Sequence, residues 1–216
     1  MITKYGIGTF AVTVLIGLFL IVIGLIIQNT VVKYVLITLG TALVLFTFYF
    51  FRDPDRITPK AENALISPAD GSVLAITKVE ENKFLKTPAW KISIFMSPFN
   101  VHVNRIPVSG SVEYINYIKG DYLIAYHEKA DERNERNEIG ISSKFGKVFF
   151  VQIAGIVARR IECELKLNQQ VQAGERFGMI KFGSRVDVYA PSDWIPKVNQ
   201  NDNVTAGETI LFEMNK

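Results

Sequence analysis

Two long apolar runs at the start of the chain constrain its fold more than any other feature of the sequence. Residues 7–27 carry no charge and are rich in isoleucine, leucine, valine and phenylalanine, and as a helix they span roughly 30 Å, the thickness of a bilayer core. A polar break at residues 28–30 precedes a second apolar run at residues 34–51. A cleaved signal peptide has a shorter apolar stretch and no second span behind it. We therefore predict a transmembrane helical hairpin over residues 1–51.

The basic residues around these runs predict the orientation of the hairpin. Lys4 precedes the first run and Lys33 lies in the short connection, whereas Arg52, Arg56 and Lys60 follow the second run. Basic residues concentrate on the cytoplasmic side of membrane helices. We therefore expect both ends of the hairpin, and the domain that follows, on the cytoplasmic side of the inner membrane.

The composition of residues 52–216 is that of one ordinary globular domain. Only two of the chain's 24 basic residues and none of its 21 acidic residues lie before residue 52. The near balance of the remaining charges excludes a basic nucleic-acid-binding protein, because no positive surplus is left to neutralise phosphates. The apolar content excludes disorder. The single cysteine, Cys163, excludes an internal disulfide and a multi-cysteine metal site and fits a reducing compartment.

Short alternating segments separated by glycine turns predict strands in this domain. Residues 72–79, 90–96 and 147–153 have strand patterns. Residues 171–178 and 204–210 each place Ala-Gly-Glu two residues after a valine, which is typical of a strand, a tight turn and a second strand. We predict a β-rich (α+β) single domain of antiparallel strands over residues 52–216, barrel-sandwich-like in part.

Four positions could carry chemistry, and each also has a purely structural interpretation. His102 and His127 are the only histidines and therefore the main candidates for acid–base catalysis near neutral pH. The structural interpretations are a hydrogen-bonded histidine in a turn for His102 and a solvated charged loop for His127. Asp70 precedes a glycine, as in many turns. In the bond between Gly183 and Ser184, glycine permits a strained backbone and offers an unhindered carbonyl to the neighbouring hydroxyl.

Taken together and in order, five segments resemble the phosphatidylserine decarboxylase family, in its short form with an N-terminal membrane anchor. The segments are residues 50–56 (FFRDPDR), 67–71 (SPADG), 96–107 (MSPFNVHVNRIP), 134–136 (NER) and 182–184 (FGS). They extend over nearly the whole domain. The resemblance implies a single catalytic domain that is cleaved from a proenzyme and then decarboxylates phosphatidylserine to phosphatidylethanolamine.

The resemblance also implies that the chain makes its own cofactor. The hydroxyl of Ser184 attacks the carbonyl of Gly183, the chain breaks between them, and a pyruvoyl group remains where Ser184 was. Its ketone takes the amine of phosphatidylserine as a Schiff base and accepts the electrons released with carbon dioxide. The implied partners are phosphatidylserine in the membrane and the two fragments of the chain, which form a heterodimer; a higher oligomer is compatible. No metal and no nucleic acid are implied.

The resemblance assigns roles to further residues and shows one departure. Asp70 matches an aspartate that assists self-cleavage, and His102 matches an active-site histidine that donates a proton after decarboxylation. Longer members have a second histidine where this chain has Arg105, which cannot act as a base. Either His102 serves both steps or self-cleavage relies on strain and Asp70; we favour the first. Arg105, whose fork suits a carboxylate or phosphate, is a candidate substrate-binding residue together with His127 and Arg52.

Two other classes of protein are compatible with parts of the sequence. Glycine-punctuated strand pairs also occur in barrel-sandwich adaptors, so a membrane-tethered binding protein without catalysis is the alternative function. It would not require Asp70, His102 and Ser184 together. A tethered zinc peptidase is a weaker alternative, because the two histidines and the scattered acids lack ligand spacing.

Overall fold

The computed structural model describes residues 1–61, 63–120, 134–155, 160–181 and 183–214. These residues separate into two compact units, Met1–Pro54 and Asp55–Lys216.

The first unit is a pair of helices. A short 3-10 turn at Lys4–Gly6 leads into α1 (Ile7–Ile26), and α2 follows at Thr30–Phe50. Both helices are long and apolar enough to cross a membrane. The second helix begins at Thr30 rather than at Tyr34, because Oδ1 of Asn29 accepts hydrogen bonds from the backbone N–H groups of Val31 and Val32, at 3.1 Å each, and so caps the first turn.

Glycines allow the two helices to approach closely. A Cβ atom added to Gly40 in α2 would lie 2.6 Å from the carbonyl oxygen of Gly17 in α1, and one added to Gly24 would lie 2.9 Å from the side chain of Ile37. Small residues at such contacts let helix backbones pack tightly in a membrane, where van der Waals contact replaces the hydrophobic effect. The pair forms the predicted hairpin.

The second unit is built of fourteen short strands, and every pairing among its described residues is antiparallel. The strands are β1 (Ala64–Ile66), β2 (Gly71–Glu81), β3 (Thr87–Met96), β4 (Val103–Arg105), β5 (Gly110–Ile118), β6 (Arg136–Ser143), β7 (Gly146–Ala154), β8 (Ile161–Cys163), β9 (Gln170–Val171), β10 (Arg176–Ile180), β11 (Ser184–Pro191), β12 (Ile195–Pro196), β13 (Asn203–Val204) and β14 (Ile210–Glu213). The alternating segments at 72–79, 90–96 and 147–153 lie in β2, β3 and β7. The β-rich antiparallel fold is therefore confirmed.

One large sheet and two small sheets share a core. The large sheet has the order β13-β2-β3-β11-β7-β6-β5-β9, and the small sheets have the orders β1-β14-β12 and β4-β10-β8. Residues on one face of the large sheet, such as Ile94 and Val186, belong to the same buried cluster as Phe177 of β10 and Phe212 of β14. A smaller cluster around Phe149 covers part of the opposite face. The strand β11 therefore lies in the interior of the sheet with both faces buried.

Candidate active site

Ser184 is the first residue of β11 and lies between two partner strands. Its backbone pairs with Met96 at the end of β3 and with Ala154 at the end of β7. Gly183, directly before it, has φ +54°, and a Cβ atom added there would have no neighbour within 4 Å. The left-handed backbone, rather than a lack of space, therefore favours glycine at this position.

The hydroxyl of Ser184 is buried and has no hydrogen-bond partner among the described residues. Burying a hydroxyl without a partner costs about 1–3 kcal/mol. Such a group in a folded protein calls for an explanation, and a chemical role is one of the few. Held out of other hydrogen bonds beside a left-handed glycine, this hydroxyl fits the nucleophile predicted from the sequence.

The chain contains three Gly-Ser bonds, and the structure distinguishes one of them. Gly71-Ser72 opens β2, Gly110-Ser111 opens β5, and Gly183-Ser184 opens β11. Of the three glycines only Gly183 has a positive φ, and of the three serine hydroxyls only that of Ser184 is buried without a hydrogen bond. The sequence pattern alone therefore does not single out the third bond, whereas its conformation does.

His102 is brought towards this bond by the pairing of β4 with β10. Val103 lies opposite Met179, so continuing the register places the backbone of His102 beside Ile180, just before the Gly183-Ser184 segment. The imidazole is fully buried, and its Nδ1 lies 3.0 Å from the carbonyl oxygen of Asn100. Because a carbonyl oxygen can only accept, Nδ1 donates in this hydrogen bond, and in the neutral ring Nε2 then carries the lone pair of a base.

Asp70 lies at the same end of the large sheet, immediately before β2. Ser72 and Arg185 both pair with Phe95 of β3, so Asp70 and Ser184 are separated by two strand spacings, roughly 10 Å. One carboxylate oxygen of Asp70 lies 2.9 Å from Nη2 of Arg56, and the other accepts a 2.8 Å hydrogen bond from the backbone N–H of Ala206. The carboxylate is held in a fixed orientation, and its part in self-cleavage stays a prediction.

The three candidate substrate-binding residues are Arg105, Arg52 and His127. Arg105 is buried and donates a 2.8 Å hydrogen bond to the carbonyl oxygen of Gly174. Arg52 belongs to the helical unit, where it bonds to the carbonyl oxygen of Tyr49 at 2.6 Å and stacks on that ring. His127 lies outside the described residues. Substrate binding by these residues stays a prediction.

Three buried amide side chains near the site, those of Asn137, Gln152 and Asn104, were not predicted from the sequence. The Nδ2 of Asn137 donates to Oε1 of Gln152 at 3.1 Å, and Nε2 of Gln152 donates to Oδ1 of Asn104 at 2.9 Å. The one available signal was Gln152, which occupies an inward position of β7 where Val148 and Phe150 are apolar. A polar residue at such a position requires a partner.

The segment at residues 134–136 holds the strand beside Ser184. Nδ2 of Asn134 donates to the carbonyl oxygen of Ala154 at 2.7 Å, and the N–H of Ala154 donates to the carbonyl oxygen of Glu135 at 2.9 Å. Since Ala154 lies opposite Ser184, these contacts fix one wall of the site. Within the described ranges, no group of three or more histidine, cysteine or acidic residues could hold a metal ion.

A large cavity lies away from this site. It has a volume of about 1030 Å³ and includes Ser111 and Ser142 in its lining. Ser111 and Ser142 pair at one end of β5 and β6, and Ile118 pairs with Arg136 at the opposite end. Arg136 is in register with Ile153 of β7, which is in turn in register with Arg185 of β11. Ser184, the nucleophile predicted from the sequence, therefore lies at the other end of the sheet.

Comparison with known proteins gives consistent matches over most of the chain. The profile of a family described as "Phosphatidylserine decarboxylase" matches residues 43–212. A relative from Chlorobium phaeovibrioides is 46% identical over 219 residues, 99% of this chain and 97% of its own length. One from Chlorobium chlorochromatii is 46% identical over 98% of this chain and 99% of its own. One from Desulfotalea psychrophila is 49% identical over 78% of this chain and 79% of its own. All three are named phosphatidylserine decarboxylase proenzyme.

Proposed function

Because the chain belongs to the phosphatidylserine decarboxylase family, we infer that it is a proenzyme that cuts itself between Gly183 and Ser184 and then converts phosphatidylserine to phosphatidylethanolamine and carbon dioxide. The observation that carries the inference is the buried, unpartnered hydroxyl of Ser184 directly after a left-handed glycine. This combination occurs at one of the three Gly-Ser bonds and fits an internal nucleophile.

The first step of self-cleavage moves the chain from an amide to an ester. The hydroxyl oxygen of Ser184 bonds to the carbonyl carbon of Gly183, the peptide C–N bond breaks, and the hydroxyl proton passes to the released amine. Glycine at position 183 supports this step, because it adopts the left-handed conformation without a Cβ clash and leaves its carbonyl unhindered for the hydroxyl. His102 supports it as the base, since its Nδ1 donates to Asn100 and leaves Nε2 to accept the hydroxyl proton.

The second step breaks the chain. A base removes the Cα proton of Ser184, the Cβ–O bond breaks, and its electron pair leaves with the carboxylate of Gly183. Water then hydrolyses the resulting enamine with release of ammonia, and a ketone remains at position 184. That pyruvoyl ketone supplies an electrophile for the substrate amine and an electron sink for the pair released with carbon dioxide.

The strand pairing of β11 supports a cofactor that stays in place after the cut. Residues 184–189 are paired on both sides, with β3 and with β7. The fragment from residue 184 onwards also contributes β13 and β14, which pair with β2 and β1 of the other fragment. Its remaining strand, β12, pairs with β14 of the same fragment. We expect the two fragments to remain one folded heterodimer.

The helical hairpin supports a substrate that resides in the membrane. Two helices that are long and apolar enough to span a bilayer would tether the domain where phosphatidylserine lies. The basic residues at Lys4, Arg52, Arg56 and Lys60 favour a cytoplasmic domain on the inner membrane. The adaptor function would need neither the left-handed Gly183 nor a buried free hydroxyl beside it.

Intact mass under denaturing conditions tests the proposal on the full chain purified in detergent. We expect two fragments that divide after residue 183, the smaller about 17 Da lighter than a peptide beginning with serine, because ammonia is lost. Ser184→Ala should leave one chain of 24.3 kDa with no phosphatidylethanolamine formed from phosphatidylserine in mixed micelles. Ser72→Ala and Ser111→Ala are matched controls at the other two Gly-Ser bonds and should be cut like the wild type. An uncut wild type, or cleavage in Ser184→Ala, would contradict the proposal.

A further inference from the structure

The side chain of Asn104 links three elements that meet at the cleavage site. It is fully buried. Its Nδ2 donates to the carbonyl oxygen of Pro68 at 3.3 Å and contacts Sδ of Met96 at 3.9 Å, and its Oδ1 accepts from Nε2 of Gln152 at 2.9 Å. Pro68 lies two residues before Asp70, and Met96 pairs with Ser184. Asn104 thus touches the turn that holds Asp70 and the strand next to the nucleophile.

The amide of Asn104 lies over the same face of the large sheet as the Ser184 hydroxyl. Side chains alternate between the two faces of a strand, so Ser184 and Val186 share one face of β11. Gln152 lies opposite Val186 in the neighbouring strand, and its side chain bonds to Asn104. The donor and acceptor of Asn104 are therefore both used on the face that carries the nucleophile.

Asn104 and Arg105, which follow His102 and lie in β4, point to opposite sides of the strand, because neighbouring side chains alternate. Consistent with this, the guanidinium of Arg105 donates to the carbonyl oxygen of Gly174, whereas Asn104 bonds to Gln152. The side chain that fixes the His102 segment against the sheet is therefore the amide of Asn104.

We propose that Asn104, held by Gln152, is a positioning residue for self-cleavage: it sets the distance of the His102 segment and the Asp70 turn from the Gly183-Ser184 bond. The proposal rests on the self-cleavage proposed above. An amide can donate to Pro68 and accept from Gln152 at once, which an apolar side chain of equal size cannot do. Displacements of about 1 Å in a reacting geometry lower rates about 100-fold. Loss of the amide should therefore lower the rate of cleavage in a protein that still folds.

The first experiment measures the rate of the cut in full-length variants folded in detergent, by following the two fragments on a denaturing gel. Asn104→Leu and Gln152→Leu should cleave at least about 10-fold more slowly than the wild type. Asn116→Leu is the matched control, because Asn116 bonds to Glu138 on the opposite face of the sheet, and it should cleave at the wild-type rate. Wild-type rates in both Leu variants would overturn the proposal while leaving the self-cleavage intact, whereas an uncut wild type would overturn both.

The second experiment exchanges the two amides. Asn104→Gln lengthens one side chain and Gln152→Asn shortens its partner, so the double variant restores the combined length. Each single variant should slow the cut about 5-fold or more, and the double variant should recover to within about 3-fold of the wild type. This rescue holds even if the Leu variants do not fold. Singles that cut normally, or a double variant slower than both singles, would overturn the proposal.

Hydroxylamine identifies the step that Asn104 serves. It cleaves esters but not peptide bonds, so it cuts a chain that has stalled after the amide-to-ester step. If Asn104 positions the first attack, hydroxylamine should produce no additional fragment in Asn104→Leu, because no ester accumulates. Fragments released by hydroxylamine, with serine rather than a ketone at residue 184, would overturn this placement of the amide.

Discussion

Ser184 and Arg185 are adjacent in the chain, but their side chains lie on opposite faces of the large sheet. The hydroxyl of Ser184 faces the main core and has no hydrogen bond within the described ranges. In contrast, Nε and Nη2 of Arg185 each lie 2.6 Å from an oxygen of Asp187 on the other face. A buried, bidentate ion pair therefore stabilises the backbone of β11 on the face opposite to the hydroxyl of Ser184. Arg185 therefore stabilises the strand and points away from the face that carries the hydroxyl.

This ion pair predicts a large stability effect at Arg185. Asp187 is fully buried and also lies 3.3 Å from Nζ of Lys91, so Arg185→Leu leaves a buried carboxylate that has lost its bidentate partner. We expect a loss of about 3–5 kcal/mol in the free energy of unfolding, measured by urea titration of tryptophan fluorescence in the uncut Ser184→Ala background. The double variant Arg185→Leu/Asp187→Leu should recover most of it. Equal loss in both variants would show that packing, not the unpaired charge, decides the effect.

Gly183 predicts a difference between two substitutions. A Cβ atom fits at this position, but φ +54° costs an alanine about 1–2 kcal/mol, while asparagine adopts left-handed backbone more readily. Gly183→Ala should therefore cleave about 10-fold more slowly than the wild type, since a Cβ disfavours the left-handed conformation that presents the carbonyl to Ser184. Gly183→Asn should retain more of the rate. Equal rates in both variants would point to bulk beside the carbonyl rather than to the dihedral angle.

Glu138 predicts a pH dependence of stability. Burial alone would raise the pKa of its carboxyl, but hydrogen bonds from Lys83 and Arg136 hold that pKa below its usual value. A lowered pKa in the folded state means that the stabilisation is present above the unfolded-state pKa of about 4.3 and is lost as the pH falls through the folded-state value.

Glu138→Gln should therefore be less stable than the parent at pH 7, by about 1–3 kcal/mol, and should lose less stability between neutral and acidic pH. Urea titrations across this range in the Ser184→Ala background measure both effects. Glu113→Gln is the control, because Glu113 is exposed and lies 3.9 Å from Lys147. Parallel pH profiles for parent and Glu138→Gln would contradict the prediction.

The glycines of the helical hairpin predict a position-specific effect. Gly40→Leu places a side chain where a Cβ atom would already lie 2.6 Å from the carbonyl oxygen of Gly17, whereas a Cβ atom on Gly8 meets nothing within 4 Å. We expect faster amide hydrogen exchange over residues 7–50 in Gly40→Leu, corresponding to about 1–3 kcal/mol of lost packing. Gly8→Leu is the matched control and should exchange like the parent protein. Equal exchange in both variants would show that close approach at Gly40 does not hold the pair together.

Much of the fold was predictable because its signals are local. Uninterrupted hydropathy over residues 7–27 and 34–51 predicts membrane helices, and alternation in residues such as 90–96 predicts strands, because each signal depends on the near neighbours of a residue. The sequence predicts that the second apolar run begins at residue 34, whereas α2 begins at Thr30. The residues directly before Tyr34 are helical because the side chain of Asn29 caps the first turn.

Some residues of the candidate site could likewise be identified from the sequence, and others could not. Ser184, His102 and Asp70 were identifiable from segments whose order matches a family, although the chain has two other Gly-Ser bonds that look equivalent in sequence. Gln152 carried one local signal, a polar side chain at an inward position of β7, but its pairing with Asn104 was not predictable, since that hydrogen bond joins residues 48 positions apart. The same holds for Arg56, whose partner Asp70 lies in a separate segment.

The sequence by itself therefore determined the apolar helical hairpin, the β-rich class of the domain and the chemical candidates, because short-range patterns and residue chemistry carry that information. Only the tertiary structure decided which glycine is left-handed, which serine hydroxyl is buried without a partner, and which amides hold the His102 segment. These properties arise from strand order and register, which bring together β4, β7, β10 and β11. Such contacts depend on the joint packing of distant segments, and no local pattern encodes them.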